Sequence, residues 1–266
     1  MDGIESCKEK GILVSKNKNP INVYWSTETL GEPDIDWTFL YPKPNTVFSE
    51  LIKERQDVKD KESYFLCPAF SSKFKKTLLF KNSVNSFYEF GKNEEDFYIK
   101  ETPDTFVHAE YIRKPSVINK PTFAFNLCYS FFADDSLDVS FTPPYFHKPQ
   151  YLQNGSIIPG EFNVGKWFRP YTCEIQMWEE KGNFSLNAGE PLFYAEFKTD
   201  RPINFYRFNY SDSLVKYQSA NIRSSSFFGP LQTLSKRYEN FKQVGYKEKI
   251  LTEIKKNLID EEPFRF

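Results

Sequence analysis

The sequence predicts a β-dominated α+β protein, and three observations support that prediction. Aromatic residues make up 18% of the 266 residues, with 28 Phe and 16 Tyr, and aromatic side chains favour strands and bury large areas. Apolar and polar residues alternate in several runs, which is the period that a half-buried strand requires. Apolar residues recur at helical spacing near residue 50 and again after residue 230.

The N-terminal part begins with a polar segment, residues 1–20, that is separate from the core. The run Ile21–Trp25 alternates and predicts a first strand, and Asp36–Tyr41 predicts a second. A helix is expected to start with Asn45 or Thr46 as its N-cap and to continue to about Arg55. These elements open a β-rich core domain that we expect over residues 21–210.

The following part of the core contains short apolar runs separated by polar turns. We expect Tyr64–Phe70 to form a buried strand that stops at Pro68, while Thr105–Ile112 fits either a strand or a connector. Further strands are predicted at Thr77–Phe80, Phe87–Phe90 and Phe97–Ile99.

The middle of the chain carries the clearest patterns. Thr122–Phe132 is too apolar for a half-exposed strand and predicts a central strand covered on both faces. Residues 157–199 hold two alternating runs joined by a Gly/Asn/Pro cluster, which is typical of antiparallel β structure. Strands are expected at Leu137–Phe141, Tyr171–Met177, Leu192–Phe197 and Ile203–Phe208.

The C-terminal part changes from strands to helices. Residues 211–229 are rich in Ser and predict a linker. Residues 230–259 predict a helical hairpin, interrupted at Gly245, whose apolar stripes pack on the core because isolated helices of this length are marginal in water. The stripes consist of Leu231, Leu234, Tyr238, Phe241 and Val244, and then Ile250, Leu251, Ile254 and Leu258.

Charge and cysteine usage limit the class of protein. The net charge is −1, so there is no global basic excess of the kind that nonspecific nucleic-acid binding needs. The four cysteines are widely spaced without a CxxC pair, which favours free thiols in a reducing compartment. The N-terminus lacks a signal-peptide pattern and no apolar run reaches membrane-helix length. We therefore expect a protein of the cytosol, or one assembled from the cytosol into something larger, without membrane association.

Several segments of the sequence resemble a protein family encoded mainly by tailed phages of marine bacteria, cyanobacterial phages among them. The segments are SFTPPYFHKP, IIPGEFNVGKWFRPYTCEIQMW, LNAGEPLFYAEFKTD, LSKRYENF and IKKNL, and the resemblance covers residues 20–260. Over residues 122–208, the GEPL element and the preceding W-F-x-P stretch also resemble a bacterial domain of unknown function suggestive of a cupin-like jelly roll. The resemblance implies a jelly-roll or cupin-like antiparallel sandwich and a phage source, but no reaction.

A cupin-like fold implies one candidate metal site. Enzymes with this fold often bind Fe(II) through two His and one carboxylate, and the chain has two histidines, His108 and His147. His108 and Glu110 lie two apart, so a strand would place both side chains on one face. With His147 as the third ligand, Arg169 would bind an oxoacid co-substrate such as 2-oxoglutarate through two hydrogen bonds.

A second candidate site combines aromatic rings with charged groups. Aromatic side chains beside Arg and carboxylates suit sugars, nucleotides or peptides, because rings stack and charges orient the ligand. The simpler account is that both tryptophans are core residues and that Arg169 pairs with a carboxylate. The candidate residues are Glu161, Trp167, Arg169, Trp178 and Glu190.

Three classes of function are compatible with the sequence. The first is a non-enzymatic phage accessory or virion-associated protein that acts through binding or assembly, with other phage proteins or further copies of itself as partners. The second is an Fe(II)/2-oxoglutarate-type oxygenase, and the third is a small-ligand or glycan-binding module. The chain carries no G-x-S-x-G element and no phosphate-binding loop, so the sequence names no catalytic residue.

Overall fold

The structure is a computed structural model that describes residues 19–27, 41–54, 64–94, 96–102, 109–111, 120–223, 239, 241 and 245–266, with backbone only at 54, 109–111, 126–128 and 221–223. Short 3₁₀ turns occur at Tyr64–Leu66 and Gln150–Gln153. In chain order the other described elements are β1 (Ile21–Thr27), β2 (Asn45–Thr46), α1 (Val47–Glu54), α2 (Pro68–Lys75), β3 (Thr77–Lys81), β4 (Ser86–Lys92), β5 (Phe97–Thr102), β6 (Ala109–Tyr111), β7 (Thr122–Ala133), β8 (Asp138–Thr142), β9 (Gly155–Ile157), β10 (Gly160–Asn163), β11 (Pro170–Met177), β12 (Gly182–Leu186), β13 (Pro191–Phe197), β14 (Ile203–Arg207), α3 (Asp212–Arg223), α4 (Tyr246–Lys256) and β15 (Phe264–Arg265).

The described strands form three sheets. Sheet A has the order β15-β14-β1-β7-β11-β9, with β6 also beside β7, while sheet B has the order β10-β8-β13-β3-β2 and sheet C the order β12-β4-β5. Among these ladders only β1–β14 is parallel, with Ile21 opposite Ile203 and Trp25 opposite Arg207. The expectation of an antiparallel architecture is thus confirmed for the other described pairs and wrong for this one.

The sheets pack face to face as a sandwich around an aromatic core. Phe80 of sheet B lies 4.9 Å from Tyr129 of sheet A, measured between ring centroids, and Tyr88 of sheet C lies 5.2 Å from Phe125 of sheet A. Alternation along the strands explains this core, because every second side chain points inward. The largest fully buried side chains among the described residues are accordingly those of Phe, Tyr and Trp.

Helices cover the outer faces of both main sheets. Ile250 and Ile254 of α4 are fully buried and belong to one cluster with Phe132 of sheet A. On sheet B, α1 and α2 form a cluster in which Val47 and Phe74 pack with other apolar residues. The expected packing of the C-terminal helical segment on the core is confirmed for α4, whereas the first helix of the predicted hairpin lies mostly outside the described residues.

Several sequence predictions are confirmed. Strands occupy the predicted runs at residues 21–25, 77–80, 122–132 and 171–177, and β7 is central in sheet A. The early helix is α1, and Thr46 is its N-cap, because the Thr46 Oγ1 atom accepts a hydrogen bond from the Ser49 N–H at 3.1 Å. The predicted strand at residues 36–41 lies outside the described residues except for its last position.

Two predictions are wrong. Residues 64–70 do not form a buried strand, because a 3₁₀ turn is followed by α2, which begins at Pro68, a residue that suits the first helical turn. The segment 211–229 is not a linker throughout, because it contains α3. Gln218 of that helix is buried, and its Nε2 atom donates hydrogen bonds to Ser130 Oγ at 3.2 Å and to Tyr210 Oη at 2.9 Å.

Candidate functional site

A groove of about 650 Å³ lies on one open side of the sandwich, between β10 of sheet B and β11 of sheet A. Residues 158–163 form one wall and residues 169–174 contribute to the other. Those that define its chemistry are Asp138, Phe141, Glu161, Phe162, Lys166, Arg169, Tyr171, Thr172 and Glu174.

The path of the chain explains why the sandwich is open here. Strand β9 pairs only with residues 175–177 of β11, and its last ladder bond runs from the Ile158 N–H to the Glu174 carbonyl at 2.8 Å. Pro159 follows and has no N–H to donate, so pairing stops. The chain then crosses to sheet B and forms β10, which leaves the first half of β11 without a described neighbour on this side.

Stacked aromatic rings form the floor of the groove. The centroid of the Phe141 ring lies 4.9 Å from that of Phe162 and 4.0 Å from that of Tyr171, and the centroids of Phe162 and Tyr171 are 6.0 Å apart. Burial raises the pKa of the Tyr171 hydroxyl well above its usual value of 10, so this group is neutral. Phe141 and Tyr171 are buried, so the half-buried Phe162 ring is the part of this floor that offers apolar contact to a ligand.

Arg169 is the most distinctive charged group in the groove. Its guanidinium lies 5.8 Å from the ring centroid of Phe162 and 5.7 Å from that of Trp167. Cation–π contact of this kind fixes the orientation of the guanidinium plane. No described residue forms an ion pair or a side-chain hydrogen bond with Arg169, so its donors are available to a ligand.

The other charges of the groove are separated along its length. Glu174 lies beside Ile158, five residues along the chain from Arg169, and Lys166 and Glu161 also line the groove. Glu161, Glu174 and Lys166 are exposed, and within the described part of the chain none of them forms an ion pair. Asp138 is engaged, since its carboxylate accepts a hydrogen bond from Asn163 Nδ2 at 2.7 Å.

The structure brings together part of the predicted set of aromatic and charged residues. Glu161 and Arg169 line the groove, and Trp167 stacks on Arg169 while being only 4% exposed. Trp178 is 44% exposed and lies nine residues from Arg169, about 30 Å along an extended strand. Glu190 is in the turn before β13, where its carbonyl accepts a hydrogen bond from the Asn82 N–H at 2.8 Å. Trp178 and Glu190 are therefore not part of this groove.

Two of the three candidate iron ligands, Glu110 and His147, lie in different parts of the fold. His108 is outside the described residues, so the three-residue set stays a prediction. Glu110 is in β6 of sheet A, opposite Ala124. The His147 Nδ1 atom lies 2.5 Å from the Tyr194 hydroxyl oxygen, and Tyr194 belongs to the cluster on the outer face of sheet B. Among the described residues, no group of three His, Cys, Asp or Glu side chains is arranged to hold a metal ion.

Three further side chains that could take part in chemistry have structural roles. Cys173 is buried in the sandwich, and burial raises the pKa of its thiol far above the usual value, so it is not a thiolate nucleophile. Asp134 accepts hydrogen bonds from the Asn22 N–H at 3.0 Å and from Asn22 Nδ2 at 2.6 Å. Asp135 forms an ion pair with Arg201.

Sequence reasoning did not single out the floor of the groove. Phe162 and Lys166 lie within the same stretch as Arg169, and Tyr171 and Glu174 belong to the predicted strand that follows. Their convergence depends on β10 and β11 belonging to different sheets. No local pattern in the sequence indicates that change of sheet.

Comparisons with known proteins place no family beside this chain. Neither a scan against protein-family models nor a search of curated proteins finds a match. Within the described residues, no helix combines the length and the apolar character needed to cross a bilayer. The geometry of the groove is therefore the basis for the functional proposal.

Proposed function

We propose that this protein acts by binding, and that the groove between β10 and β11 holds a ligand with a carboxylate group. The observation that carries the proposal is Arg169, whose guanidinium is oriented by Phe162 and Trp167 and has no ion-pair partner among the described residues. A guanidinium held in this way loses little freedom when it binds a carboxylate through two hydrogen bonds. The half-buried ring of Phe162 supplies apolar contact of the kind that ligand sites usually need.

The biological role in this proposal is that of a phage accessory or virion-associated protein. This part rests on the sequence resemblance, as does the assignment of the sandwich to the jelly-roll or cupin-like class. Sandwich folds of this kind often serve in binding and assembly. Immunodetection in purified virions should find the protein if it is a particle component, and its absence from particles would leave only the accessory role.

A ligand panel tests the binding proposal directly. The panel consists of citrate, glutamate, glucuronate, acidic oligosaccharides and acidic peptides, with inorganic phosphate as an alternative anion. A carboxylate ligand at a hundred times its Kd would stabilise the protein by about 2.7 kcal/mol and raise Tm by several degrees. Replacing Arg169 with Gln removes the charge and the forked donors, and we expect affinity to fall by roughly tenfold or more.

A matched variant controls for the loss of charge. Arg265→Gln removes an exposed arginine from β15, away from the groove, and should leave binding unchanged. Arg169→Lys keeps the charge without the planar fork and should restore only part of the affinity. If no panel member stabilises the wild type more than Arg169→Gln, the proposal fails.

A further inference from the structure

We propose that the natural ligand of the groove is an extended peptide that adds as a strand to β11, with a basic residue preceding an acidic residue. This inference rests on the proposed binding function and names the class of ligand. It is argued from the main-chain groups that β11 leaves open and from the order of charges along the groove.

The open part of β11 is its first half. β7 pairs with β11 on one side, from Gln176 back to Pro170. On the other side, β9 reaches only as far as the bond between Ile158 and Glu174, and Pro159 then directs the chain to sheet B. Among the described strands, none pairs with residues 170–173 of β11 on the groove side.

The direction of the main-chain groups follows from two hydrogen bonds. The Met177 N–H donates to the Pro121 carbonyl on the β7 side, whereas the Glu174 carbonyl accepts from Ile158 on the β9 side. In an antiparallel strand the main-chain groups of alternate residues point to the same side. The N–H and C=O of Thr172, two residues before Glu174, therefore point into the groove.

Open main-chain donors and acceptors beside a pocket are the chemistry that recognises a peptide backbone. A strand added to an exposed sheet edge gains affinity from main-chain hydrogen bonds and specificity from side-chain pockets. The Thr172 side chain is exposed, and the aromatic floor lies beside it. Pro170 has no N–H, so the open pair of groups is the N–H and C=O of Thr172, and one residue of an extended peptide matches this pair with its own C=O and N–H.

The charges of the groove predict the direction of the peptide. A strand that continues the path of β9 runs antiparallel to β11, from Glu174 towards Arg169. The place opposite Glu174 is taken by Ile158, so the peptide would begin opposite Thr172, next to the exposed Glu174 side chain, and its C-terminal part would lie beside Arg169. Thr172 and Arg169 are three residues apart, about 10 Å along the strand. A basic residue followed three positions later by an acidic residue matches both ends.

Two pools of hexapeptides with blocked termini test this inference. One pool has Lys at the second position and Asp at the fifth, with the other four positions randomised, and the other pool has Asp at the second position and Lys at the fifth. Both pools are passed over the immobilised full-length protein, and retained peptides are quantified by mass spectrometry. We expect at least tenfold higher retention of the pool in which Lys precedes Asp on the wild type and on Arg265→Gln, and loss of that retention on Arg169→Gln.

Backbone methylation provides a second measurement that needs no protein variant. Two methylated forms of a retained peptide are compared, one with the odd-numbered and one with the even-numbered amides N-methylated. One form should lose binding and the other should keep it, because only one of the two sets of amides faces β11. Equal retention of both pools, or binding that survives in both methylated forms, would overturn the strand-addition proposal. Arg169-dependent binding of citrate or glucuronate without any peptide binding would overturn it while the proposed binding function stands. If neither peptides nor other carboxylates bind through Arg169, both proposals fail.

Discussion

Replacement of Glu50 with Gln should destabilise the protein, and the cost should depend on pH. The Glu50 carboxylate accepts hydrogen bonds of 2.8 Å from Lys53 Nζ, Lys81 Nζ and Asn45 Nδ2, and the side chain is 10% exposed. Burial alone raises the pKa of Glu50, but these hydrogen bonds and the charge of Lys81 outweigh it and lower the pKa from 4.5 to about 2. At about 1.4 kcal/mol per pKa unit, this lowering of the Glu50 pKa corresponds to about 3 kcal/mol of folding free energy.

The expected effect is smaller because the two lysines are partly in solvent. Lys53 is 64% and Lys81 is 36% exposed, so we expect Glu50→Gln to cost about 1–2 kcal/mol at pH 7. Because the folded-state pKa lies below 4.5, this contribution is complete above about pH 4.5 and is lost as the pH falls towards about 2. Urea unfolding of wild type and variant between pH 7 and pH 3 should show the difference narrowing. A difference that is constant with pH, or as small as that of the exposed control Glu89→Gln, would refute this reasoning.

Two further substitutions test the packing of the sandwich. Gly165→Ala would place a methyl group against the Asp135 carbonyl, which is main chain and cannot move aside, so we expect a loss of about 2 kcal/mol or more in urea unfolding. Gly160→Ala is the control, since no heavy atom lies within 4 Å of its added Cβ, and equal costs for the two variants would contradict the packing argument. Gln218→Leu removes a buried donor from Ser130 and should cost about 1–3 kcal/mol, whereas a change below about 0.5 kcal/mol would show that this bond does not hold α3 on sheet A.

Periodicity made most of the strands predictable, because burial on one face requires alternating apolar residues and burial on both faces requires a continuous apolar run. The alternating run at residues 171–177 and the continuous apolar run at residues 122–132 both became strands of sheet A. The prediction of a buried strand at Tyr64–Phe70 failed because these apolar residues form a 3₁₀ turn and the start of a short helix. Apolar character did not imply burial here, since Tyr64 is 73% exposed. Length and composition alone do not separate a short buried strand from such a segment.

The groove was only partly predictable, because it depends on which sheet each strand joins. The runs that became β11 and β13 are close in sequence, yet they belong to sheets A and B. Arg169 and Glu161 were identified by residue type, but Trp178 and Trp167 could not be distinguished, since one lies beyond the end of β11 and the other stacks on Arg169. Long-range pairing, rather than local pattern, decides these positions.

Fluorine NMR of the protein labelled with 5-fluorotryptophan tests the central claim most directly, which is that ligand binds at Arg169 in the groove. The Trp167 ring contacts the Arg169 guanidinium, whereas Trp25 is buried in the core and Trp178 lies beyond the far end of β11. Resonances are assigned by single Trp→Phe substitutions. Titration with a carboxylate ligand or a retained peptide should shift the Trp167 resonance and leave those of Trp25 and Trp178 in place. Saturating binding that shifts Trp178 or Trp25 but leaves Trp167 unchanged would contradict the claim.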